Sequence, residues 1–180
     1  MYDNFLERVL FSEEQLNARV AEIAKEIQAD YKGKKPLIVA VLKGSVLFFS
    51  DLIRKIVGDM EIDFMSISSY GSGSKSSGEV RMIKDLDKKI EGKDIIIVED
   101  IIDSGYTMKY LKKLLEARNP ASIKVCTLLD KPSRRETDIN ADYVGFEVEN
   151  EFVIGYGLDY DGFYRNLPFI GILKRSVYEK

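Results

Sequence analysis

The chain is expected to fold as an α/β protein, with a core parallel sheet flanked by helices, and three observations predict this. Two apolar runs, Leu37 to Leu42 and Ile95 to Val98, are rich in β-branched residues and lack polar alternation, as strands buried on both faces do. Helical patterns separate the strand candidates, and strands interleaved with helices imply a parallel, right-handed sheet. Carboxylates, a glycine and hydroxyl residues follow the second apolar run directly, where open parallel sheets hold ligands.

The elements follow in order. Ser12-Glu13-Glu14-Gln15 fits a capping box, with Ser12 as N-cap and Gln15 reaching back. The helix then carries Leu16, Val20, Ile23, Ala24 and Ile27 on one stripe. Gly33 and Pro36 punctuate before the strand at Leu37. Val46 to Ile56 reads as a largely buried helix, whose Phe48-Phe49 face suits either the core or a subunit contact. A strand is expected from Ile62 to Ser69, and another from Val80 to Ile83. Between them, Gly71 to Gly78 is a Gly/Ser-rich loop that serves equally as a plain surface loop or a lid. Leu111, Leu114 and Leu115 mark the helix after Ile95 to Val98. Ile123, Val125, Thr127 and Leu129 alternate, as does the segment from Tyr143 to Val148.

A chain of 180 residues suffices for one well-buried core and is short for two, so a single domain over 1–180 is expected. The Gly/Ser loop makes a poor domain boundary, because the first half would be small and would lack a complete sheet. A net charge of −3 gives no basic field for nucleic acid. The single cysteine, Cys126, lies in an alternating apolar segment and reads as a small buried filler in a reducing compartment. There is neither a signal peptide nor an apolar run long enough to cross a membrane, so a cytoplasmic protein without a membrane partner is expected. Histidine is absent, which leaves acid–base work to carboxylates, Lys or Tyr.

The candidate chemistry centres on Glu99-Asp100 and on Asp103-Ser104-Gly105-Tyr106-Thr107. A turn entering a helix offers free N–H groups and a positive dipole end. Ser104 and Thr107 add hydroxyls, and Gly105 permits close approach, so the natural guest is a monophosphate. Glu99 and Asp100 suit a ribose diol or a magnesium ion beside it. Adjacent strand residues point to opposite faces, so both acids serve one site only if the strand ends there; otherwise they are solvated strand-end acids. Asp103 serves either as an Asx-type turn former or as a general base. The loop lacks the glycine spacing and the terminal Lys-Ser/Thr of a Walker-A motif.

Residues 95–107 resemble the phosphoribosyl pyrophosphate signature of the type I phosphoribosyltransferases. Leu42-Lys43-Gly44-Ser45, Leu128-Leu129-Asp130-Lys131-Pro132, the stretch from Glu151 to Tyr160, and Arg165-Asn166-Leu167-Pro168 accompany it in order. Together they resemble the bacterial hypoxanthine-guanine phosphoribosyltransferases. The resemblance implies a type I phosphoribosyltransferase fold, with a small hood subdomain built from N-terminal and C-terminal segments. It also implies a homodimer or homotetramer, and transfer of phosphoribose to N9 of hypoxanthine or guanine, giving IMP or GMP plus pyrophosphate.

The resemblance carries roles for individual residues. Asp103 is the general base or acid at purine N7, and Ser104, Gly105, Tyr106 and Thr107 bind the 5′-phosphate. Glu99 and Asp100 meet the ribose hydroxyls and magnesium (Mg2+), and Asp159 lies near a second magnesium. Lys43 and Gly44 hold pyrophosphate through main-chain groups, often after a cis peptide, and Arg165 clamps it. Lys131 donates to the purine 6-oxygen, Phe152 stacks on the ring, and the Val153 backbone reads its edge. Ser69-Tyr70 matches the start of a catalytic loop, which makes the segment of about 70–79 a lid. The chain departs from the pattern in two places: Ser104 stands where many members have Thr, and Glu149-Asn150 where many have a Pro-Asp pair. The alternatives are an enzyme for xanthine, adenine or a pyrimidine, and a nucleic-acid-binding regulator that keeps the fold. A regulator calls for an added domain or a basic face.

Overall fold

The computed structural model describes residues 2, 4–69 and 80–179, with Ser69 and Val80 described by backbone alone. In chain order the elements are β1 (Leu6–Phe11), α1 (Glu13–Asp30), β2 (Leu37–Leu42), α2 (Val46–Lys55), β3 (Glu61–Ser69), β4 (Val80–Lys84), β5 (Asp94–Ile102), α3 (Tyr106–Glu116), β6 (Ser122–Asp130), β7 (Tyr143–Glu147), β8 (Val153–Ile154), β9 (Ile170–Leu173) and the short α4 (Arg175–Tyr178). Six strands form the main sheet in the order β4-β3-β2-β5-β6-β7, and three form a second sheet in the order β1-β9-β8.

The main sheet is mixed rather than wholly parallel, because β4 runs antiparallel to β3 at one edge. The ten residues between Ser69 and Val80 are too few for the crossover that a parallel neighbour requires. The other neighbours, β3-β2, β2-β5, β5-β6 and β6-β7, are parallel.

Both faces of the sheet are buried, and the alternation of each strand divides its side chains between them. Ile38, Ala40, Ile96, Val98, Cys126 and Leu128 pack on the face covered by α1 and α2. Leu37, Val39, Val41, Ile95, Ile97 and Val125 pack on the other, against Met108, Leu111 and Leu115 of α3. Phe48 and Phe49 are core residues, at 0 % and 2 % exposure. Cys126 is a fully buried free thiol, and burial pushes its ionisation far up. Ser12 and Gln15 form the expected capping box, and the predicted α1 stripe is the buried one. The second sheet is antiparallel and joins the N-terminal strand to the last two strands, over a small cluster of Ile154, Leu167, Phe169 and Leu173. Among the described residues no helix is long and apolar enough to cross a membrane.

Strand β5 does not end at Glu99. Its pairing with β6 continues through Glu99↔Thr127, Ile101↔Leu129 and Ile102↔Asp130. Its pairing with β2 stops at Ala40↔Val98. The two strands part there, and a crevice opens at the carboxyl end of the sheet beside Glu99 and Asp100.

Candidate active site

Two adjoining cavities occupy this crevice. One, of about 230 Å³, is lined by Glu99, Asp100, Asp103, Ser104, Gly105 and Thr107 together with their apolar neighbours. The other, of about 220 Å³, is lined by Lys43, Gly44, Glu99, Asp100, Thr107, Asp159 and Arg165, with Val41, Leu42 and Ile67. Glu99, Asp100 and Thr107 belong to both. Adjacent acids thus face one space without a strand end, because the parting of β2 from β5 exposes the region to either side of the backbone.

The electrostatics of this pair are unusual. Burial, reinforced by the charge of Asp100, pushes the Glu99 carboxyl well above the usual carboxylate range. Its Oε2 is buried and without a hydrogen-bond partner among the described residues. Asp100 is pushed up to about 6, chiefly by burial; the Ile101 N–H and Arg165 pull the other way. That N–H donates to Asp100 Oδ1 at 2.8 Å.

Close packing holds the floor of the crevice. The Leu42–Lys43 peptide is cis. A Cβ on Gly44 would collide with the Asp100 carboxylate, and one on Gly157 with the Gly44 carbonyl oxygen. Arg165 donates to the Gly157 carbonyl at 2.6 Å and pairs with Asp159 at 2.6 Å. Asp159 also accepts from the Gly162 N–H at 2.8 Å.

The phosphate-type turn caps α3. Gly105 is the N-cap, with φ +89°, in the left-handed region that favours glycine. Tyr106 is half-exposed and lines neither cavity, and a hydrogen bond with Glu136 raises its ionisation above the usual phenol range. Asp103 Oδ1 accepts from Arg134 Nε at 2.9 Å. Neither Arg134 nor the following Arg135 figures in the sequence reading. They lie three and four residues beyond Lys131 with no motif to mark them.

Lys131 sits at the end of β6 with 6 % exposure, and its pKa is lowered, first by burial. Its N–H donates to the Ile102 carbonyl at 3.0 Å, and its ammonium to the Glu151 carbonyl at 2.8 Å. That second bond ties the crevice to the small sheet, where Val153 pairs with Ile172. Phe152 stacks on Tyr178, centroids 5.0 Å apart, and meets Tyr160 edge-on at 5.5 Å. Ser69 is the last residue of β3. Tyr70 and the expected lid of about 70–79 lie outside the described residues.

Comparison with known proteins agrees with this geometry. The family model for the phosphoribosyl transferase domain matches residues 10–161. The hypoxanthine-guanine phosphoribosyltransferase of Bacillus subtilis is 54% identical over 179 residues, covering 99% of each chain. The bifunctional protein TilS/HprT of Listeria innocua is 53% identical over 177 residues, which are 98% of this chain and 27% of that protein. The chain thus spans about a quarter of the length of the bifunctional relative. A crystal structure of a hypoxanthine phosphoribosyltransferase from Staphylococcus aureus matches with a TM-score of 0.95 at 49% identity, covering 99% of this chain and 97% of that one. The chain belongs to the phosphoribosyltransferase family, and within it to the hypoxanthine-guanine phosphoribosyltransferases.

Proposed function

We propose that this chain, as a single domain, transfers phosphoribose from phosphoribosyl pyrophosphate to N9 of hypoxanthine or guanine, giving IMP or GMP plus pyrophosphate. The observation that carries the reading is the shared crevice. Glu99 and Asp100 line the cavity of the phosphate-type turn and also the cavity that holds Lys43, Gly44, Asp159 and Arg165. One cavity suits the 5′-phosphate and the other the pyrophosphate, with the acids between them at the ribose.

In this reading the first N–H groups of α3 and the hydroxyls of Ser104 and Thr107 take the 5′-phosphate. Arg165 and the backbone of Lys43-Gly44 take the departing pyrophosphate charge. Asp103 accepts or holds the N7 proton as N9 attacks. An ionised carboxylate accepts at both oxygens, so the Arg134 contact at Oδ1 is compatible with that role. The Lys131 ammonium has three donors; one goes to Glu151, leaving others for the purine 6-oxygen. A donor-only group favours a 6-oxo over a 6-amino purine. The Phe152 face opposite Tyr178 stacks on the base, with the Val153 backbone at its edge.

Magnesium fits the donor set. Glu99, Asp100 and Asp159 supply the hard oxygens it prefers, and the unpartnered Glu99 Oε2 is a buried acceptor awaiting a donor or a cation. Among the described residues no three such side chains converge as a ready-made cage, which accords with magnesium's habit of using one or two carboxylates plus phosphates and waters. When bound, it would supply charge neutralisation at the phosphates and the ribose hydroxyls. A closing segment at about 70–79, led by Ser69 and Tyr70, would exclude water from the reacting ribose. The setting is cytoplasmic, the assembly a homodimer or homotetramer, and the partners are the small substrates.

A spectrophotometric assay with phosphoribosyl pyrophosphate and magnesium tests this, offering hypoxanthine, guanine, xanthine and adenine separately. Turnover of hypoxanthine and guanine with little of adenine supports the reading. Tight binding of phosphoribosyl pyrophosphate without turnover of any base would sink it.

A further inference from the structure

The segment after Lys131 grips the phosphate-type turn from outside the crevice. The Arg135 guanidinium donates to the Asp103 carbonyl with one nitrogen and pairs with the Asp130 carboxylate with another. Both side chains of this pair are largely buried, at 11% and 13% exposure. The Ser104 carbonyl accepts from the Glu136 N–H at 3.0 Å and from the Thr137 hydroxyl at 3.3 Å. A Cβ on Gly105 would strike Thr137 and crowd Arg135, so the two segments are packed as well as bonded. The carbonyls of Asp103 and Ser104, at the head of the turn, are thus held by three donors from residues 135–137.

We infer that Arg135 is a positioning residue for the 5′-phosphate loop, and that residues 135–137 form a brace aiming the N–H groups of the turn into the crevice. The physical case is that a carbonyl and the following N–H share one rigid peptide plane. Fixing the Asp103 and Ser104 carbonyls therefore fixes the N–H groups of Ser104 and Gly105. The fork of an arginine suits the task, because it satisfies a carboxylate and a carbonyl at once in one plane. Its anchor, Asp130, immediately precedes Lys131. The same β6 end therefore places both the base-reading lysine and the brace of the phosphate loop.

This inference rests on the function proposed above, and the test separates the two. The double variant Arg135→Gln/Asp130→Asn removes the brace without leaving a lone buried charge. IMP and inosine binding, steady-state kinetics and melting temperature would be measured on it, on Arg135→Lys and on Thr137→Val. Misplacing the loop should weaken IMP about tenfold and raise KM for phosphoribosyl pyrophosphate similarly. Inosine, which lacks the phosphate, should bind within about twofold of wild type, as should hypoxanthine by its KM. Arg135→Lys should restore only part of the loss, since an ammonium lacks the fork. Thr137→Val, which removes one donor, should weaken IMP about threefold and carries the test should the double variant fail to fold. Unchanged IMP binding in the folded variants, or an equal loss for IMP and inosine, would overturn the brace. A wild-type protein that neither binds IMP nor turns over hypoxanthine would overturn the function instead.

Discussion

The two ends of the main sheet treat charge in opposite ways. At the amino end, charges are paired. Lys124 donates to Asp30 at 2.7 Å and to the Tyr143 hydroxyl at 3.1 Å, and that hydroxyl donates to Asp30 at 2.6 Å. Arg118 forks onto Asp85, Lys88 and Lys93 meet Glu61, and Lys34 meets Asp94. The wide depression there, about 680 Å³ between the ends of α1 and α2, is lined by four lysines, of which two are likewise engaged, Lys34 with Asp94 and Lys35 with Asp59. At the carboxyl end, Glu99 and Asp100 are each buried, and both are shifted toward the protonated form. At the amino end the chain satisfies these charges itself; at the carboxyl end Arg134, Arg135 and Arg165 pair with Asp103, Asp130 and Asp159, but Glu99 Oε2 has no partner among the described residues and is left to what binds.

The contrast is broken most severely at the carboxyl end. Asp103→Asn should lower kcat with hypoxanthine by about 10²- to 10⁴-fold, read by the spectrophotometric assay, while the melting temperature stays near wild type. Lys131→Ala should lower kcat/KM for hypoxanthine and guanine roughly 30- to 100-fold, the worth of a charged hydrogen bond, with far less effect on any adenine turnover.

Asp100→Asn sharpens the comparison by separating stability from activity. A carboxyl raised to about 6 in the fold, against about 3.9 unfolded, binds more protons when native. Its contribution to stability is therefore present at low pH and is lost as pH rises from about 4 to 6. In the magnesium-free protein, Asp100→Asn should raise the melting temperature by about 4 °C or more at pH 7 and hardly at pH 4, while activity falls. A uniform shift at both pH values would contradict the burial argument. The smallest effect belongs to the amino end. The Lys124 and Tyr143 bonds hold Asp30 below the usual range, so its stabilisation exists above about pH 4 and fades as pH falls through the lowered value. Asp30→Asn should cost at most about 1 kcal/mol in denaturant melts at pH 7 and leave kcat unchanged.

Much of the main sheet was legible because its strands and helices are locally consistent. The β2 run, the α1 stripe and the Ser12 cap each point the same way as the final packing. The hood strands were not legible from pattern. Leu6–Phe11 mixes charged and apolar residues, and Val153–Ile154 is too short to show a period; only the resemblance implied them. The continuation of β5 past the apolar run is not legible for a physical reason, since a strand can continue along one neighbour after losing the other. In the site, Asp103, Ser104, Gly105 and Thr107 of the turn, the acids Glu99 and Asp100, and Lys43, Gly44, Asp159 and Arg165 line the two cavities. Tyr106, Lys131, Phe152 and Val153 line neither, Tyr70 lies outside the described residues, and Arg134 and Arg135 carry no motif. Their importance lies in contacts some thirty residues upstream, and nothing local in the sequence records such a contact.

Cys126 has a consequence for experiment. As the chain's single thiol, fully buried in the core under α1 and α2, it is shielded from alkylating reagents while the fold is intact. Its labelling rate in native buffer therefore reports how often the central core itself opens, counted by one atom already present in the natural chain.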